Sequence, residues 1–110
     1  SFFLFYNYLV VVDIMVKEIQ MSIEDTIEYV RNNVKVADIL EISYNRIFAP
    51  GEVLGIVEED EITGEGLRVN LQLTGEILNQ AVEIDLDTIA DDLLEMRHVH
   101  DDEEIIIEVL

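Results

Sequence analysis

The feature that most constrains the fold is a strict alternation of apolar and polar residues within residues 67–86. Apolar side chains occupy every second position in two runs, 67–73 and 82–86, which is typical of strands with one buried face and one wet face. Gly75 and the pair Asn79-Gln80 lie between the runs and allow the chain to reverse. The sequence therefore predicts an antiparallel hairpin. Because a lone hairpin is marginal in water, other elements must cover its apolar face.

The segment behind this hairpin has the spacing of a helix. Ile89, Leu93 and Met96 recur at positions i, i+4 and i+7, and Asp87 is a suitable N-cap. We therefore expect a helix from Asp87 to Arg97 that lies on the apolar face of the hairpin. Residues 98–104 are polar and are expected to form an exposed connector, and residues 105–110 are expected to form a closing strand.

The first half of the chain contains a second helix and two more strands. Ser22 is a good N-cap for a short amphipathic helix over residues 23–32. Alternation then predicts a strand over residues 36–48, a turn at Ala49-Pro50-Gly51, and a strand over residues 52–57. These patterns together predict an α+β fold, with a mostly antiparallel sheet of about five strands and two short helices packed on it.

Residues 1–20 differ in composition from the rest of the chain, so we expect an apolar N-terminal arm or strand there and a single small acidic domain over residues 21–110. The arm carries Phe2, Phe3 and Phe5 and is expected either to join the core or to dock on another subunit. It has no basic start and no small-residue cleavage site, and it is too short to span a bilayer. We expect no secretion signal, no membrane span, and a cytoplasmic or virion-associated protein.

Charge excludes several classes of partner. The chain has 25 acidic and 6 basic residues, a net charge of −19. Residues 52–110 hold 18 of the acids and 2 of the bases, Arg68 and Arg97. This field repels phosphate backbones and anionic membranes and attracts basic surfaces. We therefore expect no direct nucleic-acid binding, and a partner protein with a basic surface.

The candidates for chemistry are few. His98 and His100, with Asp102 nearby, are the residue types of a transition-metal site, but histidines in an exposed acidic segment are more often simply solvated. The chain has no cysteine, and its serines and glycines form no nucleophile or phosphate-binding motif. We therefore expect no enzyme, no cofactor and no bound metal.

The sequence favours a non-enzymatic interaction or assembly module that self-associates or docks on another protein, such as a viral or multi-subunit component. The alternative is a mimic of DNA that inhibits a nucleic-acid-binding enzyme, as in phage counter-defence, and it rests on charge alone. The residues expected to bind the partner come from the arm, the closing strand and the acidic segment 58–66. They are Phe2, Phe3, Phe5, Ile105, Ile107, Glu58, Glu59, Asp60 and Glu61.

Overall fold

The structure, a computed structural model, describes residues 2–5, 8–11, 15–75 and 80–110. Nine strands and one α-helix lie in this part of the chain: β1 (Phe2–Phe5), β2 (Tyr8–Val11), β3 (Met15–Met21), α1 (Ile23–Asn33), β4 (Ile39–Tyr44), β5 (Ile47–Val57), β6 (Arg68–Leu73), β7 (Ala81–Asp85), β8 (Leu93–His100) and β9 (Glu103–Val109). β3 to β9 form one seven-stranded sheet in the order β3-β9-β8-β4-β5-β6-β7. β3 runs parallel to β9, and all other neighbours in this sheet are antiparallel. The β-rich α+β class is confirmed, whereas five strands and two helices differ from the observed count.

The predicted central hairpin is confirmed as β6 and β7. Val69 pairs with Ile84 and Leu71 with Val82, in antiparallel register. Leu71 is fully buried and Ile84 is 5% exposed, so the apolar positions face the core as expected. The alternation of residue types therefore predicted both the pairing and which side chains face the core.

The first helix is also confirmed. Ser22 Oγ accepts a hydrogen bond from the backbone N–H of Asp25 at 3.1 Å, which is the expected N-cap. Two acids, Glu24 and Asp25, lie in the first turn, where the helix dipole favours negative charge. Val30 of α1 is fully buried in the core.

The core lies on the face of the sheet that α1 covers. Its buried side chains include Leu40, Ile42, Val53, Met96 and Ile107 from the central strands, packed with Val30 and Val34. Within residues 15–75 and 80–110, no helix or second sheet packs on the other face. We call that other side the open face.

The predicted helix from Asp87 to Arg97 is wrong. The segment contains one 3-10 turn, Ala90–Asp92, and then enters β8, which pairs with β4 on one side and β9 on the other. An irregularity in the β4–β8 pairing near Leu93 puts Leu93 and Met96 on the same buried face, although they are three residues apart. In a regular strand such residues face opposite sides, so the sequence spacing resembles that of a helix. Leu, Glu and Met favour a helix, but intrinsic propensity is a small term, and the two ladders of backbone hydrogen bonds outweigh it.

The predicted turn at Ala49-Pro50-Gly51 is also wrong, because all three residues lie inside β5. The chain reverses instead at Asn45-Arg46, where Asn45 has a φ of 53°. Pro50 lies one position beyond the β5–β6 ladder, whose first pair is Gly51 and Leu73, so its missing N–H costs no ladder bond. Gly51 is needed for close packing, since a Cβ there would stand 2.7 Å from the carbonyl oxygen of Gln72.

The N-terminal residues divide between two sheets. β1 and β2 pair with each other as a separate two-stranded sheet, with Phe2 opposite Val11. β3 belongs to the seven-stranded sheet, although composition places most of its residues in the arm. β9 lies between β3 and β8, so the closing strand has no open edge for another chain.

Candidate functional site

Four side chains from three elements form a connected polar cluster on the covered side of the sheet, which we call the Asp38 network. Tyr29 projects from α1, Asp38 lies just before β4, and His98 and His100 occupy alternate positions of β8. His98 and His100 share a face because side chains two apart in a strand point the same way. The predicted exposed connector at residues 98–104 is therefore wrong: His98 is 4% exposed and stands inside the sheet.

Every member of the Asp38 network is hydrogen-bonded. The Tyr29 hydroxyl lies 2.7 Å from His98 Nδ1, and His98 Nε2 lies 2.7 Å from Asp38 Oδ2. Asp38 also accepts from His100 Nδ1 and, at 2.9 Å, from the backbone N–H of Lys35. With Nδ1 accepting from Tyr29 and Nε2 donating to Asp38, both ring nitrogens of His98 are satisfied. Among the residues that the structure describes, no buried side-chain nitrogen or oxygen is left without a partner.

The network shifts the pKa of three groups. Burial raises the pKa of Tyr29 to about 12, with help from the negative charges of Glu103 and Asp38, so its hydroxyl stays protonated. Burial also acts to raise the pKa of Asp38, but hydrogen bonds from His100 and His98 outweigh it, and the pKa falls below its ordinary value. The pKa of His100 is raised by its hydrogen bond to Asp38 and by the charges of Asp38 and Asp101.

A small cavity of about 160 Å³ opens beside the network, lined by Tyr29, Asn33, His98, His100, Glu103 and Ile105. The one network nitrogen that faces outward is His100 Nε2, 3.3 Å from the Asp101 carboxylate. Both nitrogens of His98 are engaged by Tyr29 and Asp38, so His98 has no donor atom to offer an ion. Across residues 15–75 and 80–110, no group of three or more His, Asp and Glu side chains has a geometry that could hold a metal.

The open face carries the second candidate site, which is built from rows of side chains that run across β3, β9, β8, β4 and β5. Cross-strand partners share a face, so the strand register gives each row directly. The first row is Gln20, Glu108, Glu95, Ser43 and Phe48. The second row is Glu18, Ile106, Arg97, Glu41 and Pro50. The third row is Val16, Glu104, Val99, Ile39 and Glu52.

Apolar side chains occur along the β4–β5 side of the open face. Phe48 is 59% exposed, and half-buried Pro50 follows it on the same face of β5. Leu54 is 48% exposed and lies further along β5, about 20 Å from Phe48, beyond Glu52 and its half-buried partner Ile39. At the other side, a cleft of about 560 Å³ lies over β3, β9 and β8. Its lining includes Glu18, Glu95 and Glu108 together with Gln20, Ile19 and Ile106, so it has three carboxylates and no base.

Carboxylates in neighbouring rows have different surroundings. Arg97 forms ion pairs with both Glu41 and Glu104, and these pairs raise the already high pKa of the guanidinium. In the first row, Glu95 stands directly opposite Glu108 across the β8–β9 ladder, with no base in that row. Like charges at directly opposite positions repel each other.

The residues predicted to bind a partner are scattered in the structure. Phe2, Phe3 and Phe5 lie in β1, and their side chains are outside the described part of the structure. Ile107 is fully buried and Ile105 is half-buried on the covered face.

The acidic candidates lie in loops. Glu58 and Glu59 both pair with Arg31. Asp60 Oδ1 accepts from the backbone N–H of Ile62 at 2.9 Å and holds a turn, and Glu61 is exposed. Asp102, the third metal candidate, is exposed in the β8–β9 turn.

Sequence reasoning missed Tyr29, Asp38, Phe48, Glu95 and Glu108 as site residues. The alternation of Met96, His98 and His100 could have indicated that both histidines face one side of a strand. The others carry no local signal, because Asp38 meets His98 only after a separation of 60 residues along the chain. The row that joins Phe48 to Glu95 exists only once β4 lies between β5 and β8.

Fold and site together define a small acidic α+β protein in which one helix covers one face of a mixed seven-stranded sheet, while no helix or second sheet within residues 15–75 and 80–110 covers the other face. Residues 17–108 match the family described as "Uncharacterized protein conserved in archaea (DUF2097)", and the chain belongs to this family. No curated protein matches the chain. No solved structure matches it either. The archaeal distribution of the family gives no support to the expected virion association. No helix within the described residues is long and apolar enough to cross a membrane.

Proposed function

We propose that this protein is a non-enzymatic interaction module that binds a partner protein on the open face of its sheet. The observation that carries the proposal is the exposure of the large apolar side chains Phe48 and Leu54 of β5, at a face that no helix or second sheet covers within residues 15–75 and 80–110. Large apolar side chains that are exposed on an uncovered sheet face gain free energy when a partner removes them from water.

The partner is a protein of different sequence. The three rows of the open face carry six carboxylates, Glu18, Glu41, Glu52, Glu95, Glu104 and Glu108, against one guanidinium, Arg97. Two copies that met through this face would bring like charges together, which costs free energy. Self-association through the N-terminal arm involves a different surface and stays a prediction.

A library of random peptides displayed on phage tests the proposal, because such a library samples many combinations of apolar and charged side chains. Peptides selected on the wild-type protein are synthesised, and their affinities are measured by fluorescence anisotropy. We expect the double variant Phe48→Ala/Leu54→Ala to bind them at least about tenfold more weakly, because central apolar anchors carry most of the binding free energy. Ile47→Ala and Ile62→Ala remove other exposed apolar side chains, 51% and 97% exposed, and are expected to bind normally.

Two results would overturn the proposal. One is that no peptide is enriched on the wild-type protein. The other is that the selected peptides bind Phe48→Ala/Leu54→Ala as tightly as the wild type. The second result, with peptides that carry only basic residues, would favour the mimic of DNA, since a mimic acts through its carboxylates and needs no apolar contact.

A further inference from the structure

The charges on the open face indicate the chemistry of the partner. This inference rests on the function proposed above, in which a partner binds that face. The first row of that face places Phe48 on β5 and Glu95 on β8, with β4 between them, and Glu108 on β9 beyond Glu95. Neighbouring strands lie about 4.8 Å apart, so the two carboxylates stand about 10 and 14 Å from Phe48 along the row. A partner that covers Phe48 and extends across the sheet therefore reaches both carboxylates.

The second and third rows show how this sheet accommodates carboxylates when a cation is present. Arg97 of β8 pairs with Glu41, its partner on β4 in the second row, and with Glu104 of β9 in the third row. In that arrangement Glu41 and Glu104 keep only 21% and 19% of their side-chain surface exposed. One guanidinium thus allows two carboxylates to be partly withdrawn from water.

Glu95 and Glu108 have no such cation. They face each other directly on β8 and β9, both are exposed, and the cleft above them is lined by a third carboxylate, Glu18. The one side-chain hydrogen bond to Glu108 comes from Gln20 at 3.3 Å, among the contacts of the described residues. Water therefore solvates both carboxylates in the free protein.

A docked partner would remove that water. An ionised carboxylate that loses its water without gaining a charged or hydrogen-bonding partner costs far more free energy than an apolar contact returns. A purely apolar partner is thus rejected at this row, and a partner that brings a cation is selected. The cleft of about 560 Å³ has room for the head of a long basic side chain.

We infer that the partner inserts a lysine or arginine side chain between Glu95 and Glu108 while an apolar group about 10 to 14 Å away covers Phe48. This cation would pair with both Glu95 and Glu108, as Arg97 pairs with both Glu41 and Glu104. The partner is accordingly a protein segment that combines an apolar anchor with a basic residue at a fixed distance.

The test uses the full chain and the peptides selected on the wild-type protein. In Glu95→Gln/Glu108→Gln, both charges are removed with almost no change in shape. The matched control, Asp91→Asn/Asp102→Asn, removes the same charge from exposed positions outside the three rows. We expect the first variant to bind at least about tenfold more weakly and the control to change less than about twofold, because close charge pairs in an interface lose affinity when one partner is truncated. Circular dichroism and urea unfolding check that both variants are folded.

A double-mutant cycle locates the contact. We expect replacement of the basic residue of the peptide by glutamine to weaken binding to the wild type but not to Glu95→Gln/Glu108→Gln, since interacting groups give non-additive losses.

If Glu95→Gln/Glu108→Gln binds normally while Phe48→Ala/Leu54→Ala does not, the inference about the cation is wrong and the docking proposal survives. If neither variant affects binding, both are wrong. If the charge control weakens binding equally, the attraction comes from the net charge and the inference is again wrong.

Discussion

Asp38 on the covered side of this sheet and the pair Glu95 and Glu108 on the open side have opposite surroundings. On the covered side, Asp38 is 5% exposed and accepts hydrogen bonds from His98, His100 and the backbone of Lys35. On the open side, Glu95 stands opposite Glu108 with no base in the row. A buried charge must be satisfied inside the molecule, because water cannot reach it. An exposed one is solvated, and it remains available to an outside cation. The Asp38 network thus lies on the covered side of the sheet, and the carboxylates that we propose to contact a partner lie on the open side.

The largest expected effect follows from removing the carboxylate on the covered side. Asp38→Ala leaves His98 and His100 without their shared acceptor, and we expect the free energy of unfolding to fall by about 3 to 5 kcal/mol. Urea unfolding followed by circular dichroism measures the loss. Asp102→Ala, at an exposed turn position, is the matched control and should change the free energy of unfolding by less than about 0.5 kcal/mol. Equal effects of the two substitutions would show that the Asp38 network does not stabilise the fold.

A smaller effect is expected from the pH dependence of the same network. The pKa of His100 is raised in the folded state above its ordinary 6.5, so its protonated form favours folding. This contribution is fully present below pH 6.5 and is lost as the pH rises through the raised pKa. The pKa of Asp38 is lowered from 3.8, so its contribution is present above that pH and is lost as the pH falls through the lowered value.

The pair should therefore stabilise the fold most between pH 3.8 and 6.5. Urea unfolding of the wild type and of His100→Gln across this range and up to about pH 9 is the measurement. We expect the stability advantage of the wild type to shrink as the pH rises above neutrality. Parallel profiles for the two proteins would show that the charge of His100 contributes nothing to stability. Asp101 and Glu103 also face His100 and are unchanged in both proteins.

The smallest effect has the opposite sign and belongs to the open side. Glu95→Gln removes a like-charge pair across the β8–β9 ladder, and we expect it to stabilise the protein by about 0.2 to 1 kcal/mol at low salt. The gain should shrink as added salt screens the repulsion. Glu41→Gln is the matched comparison, and it should destabilise the protein because Glu41 pairs with Arg97. A loss of stability in Glu95→Gln would mean that Glu95 has a stabilising role within the chain.

Local patterns were sufficient for the elements whose neighbours in sequence are also their neighbours in space. The alternation in residues 67–86 predicted the pairing of β6 with β7 and the burial of Leu71 and Ile84, because a short connection joins the two strands. Ser22 predicted the start of α1 because an N-cap acts within three residues. The expectation of a basic partner rests on composition alone and stays a prediction.

The remaining features depend on contacts between distant parts of the chain. β8 is a strand because β4 and β9 supply hydrogen bonds on both of its sides, although its residues favour a helix on their own. Pro50 is tolerated inside β5 because the β5–β6 ladder begins at the next residue, Gly51, which pairs with Leu73. No residue of β6 therefore requires a backbone N–H at position 50. The Asp38 network and the row from Phe48 to Glu108 arise from the strand order, which residue alternation does not encode. Periodicity specifies which face of a strand is buried, but long-range backbone pairing decides which strands share that face.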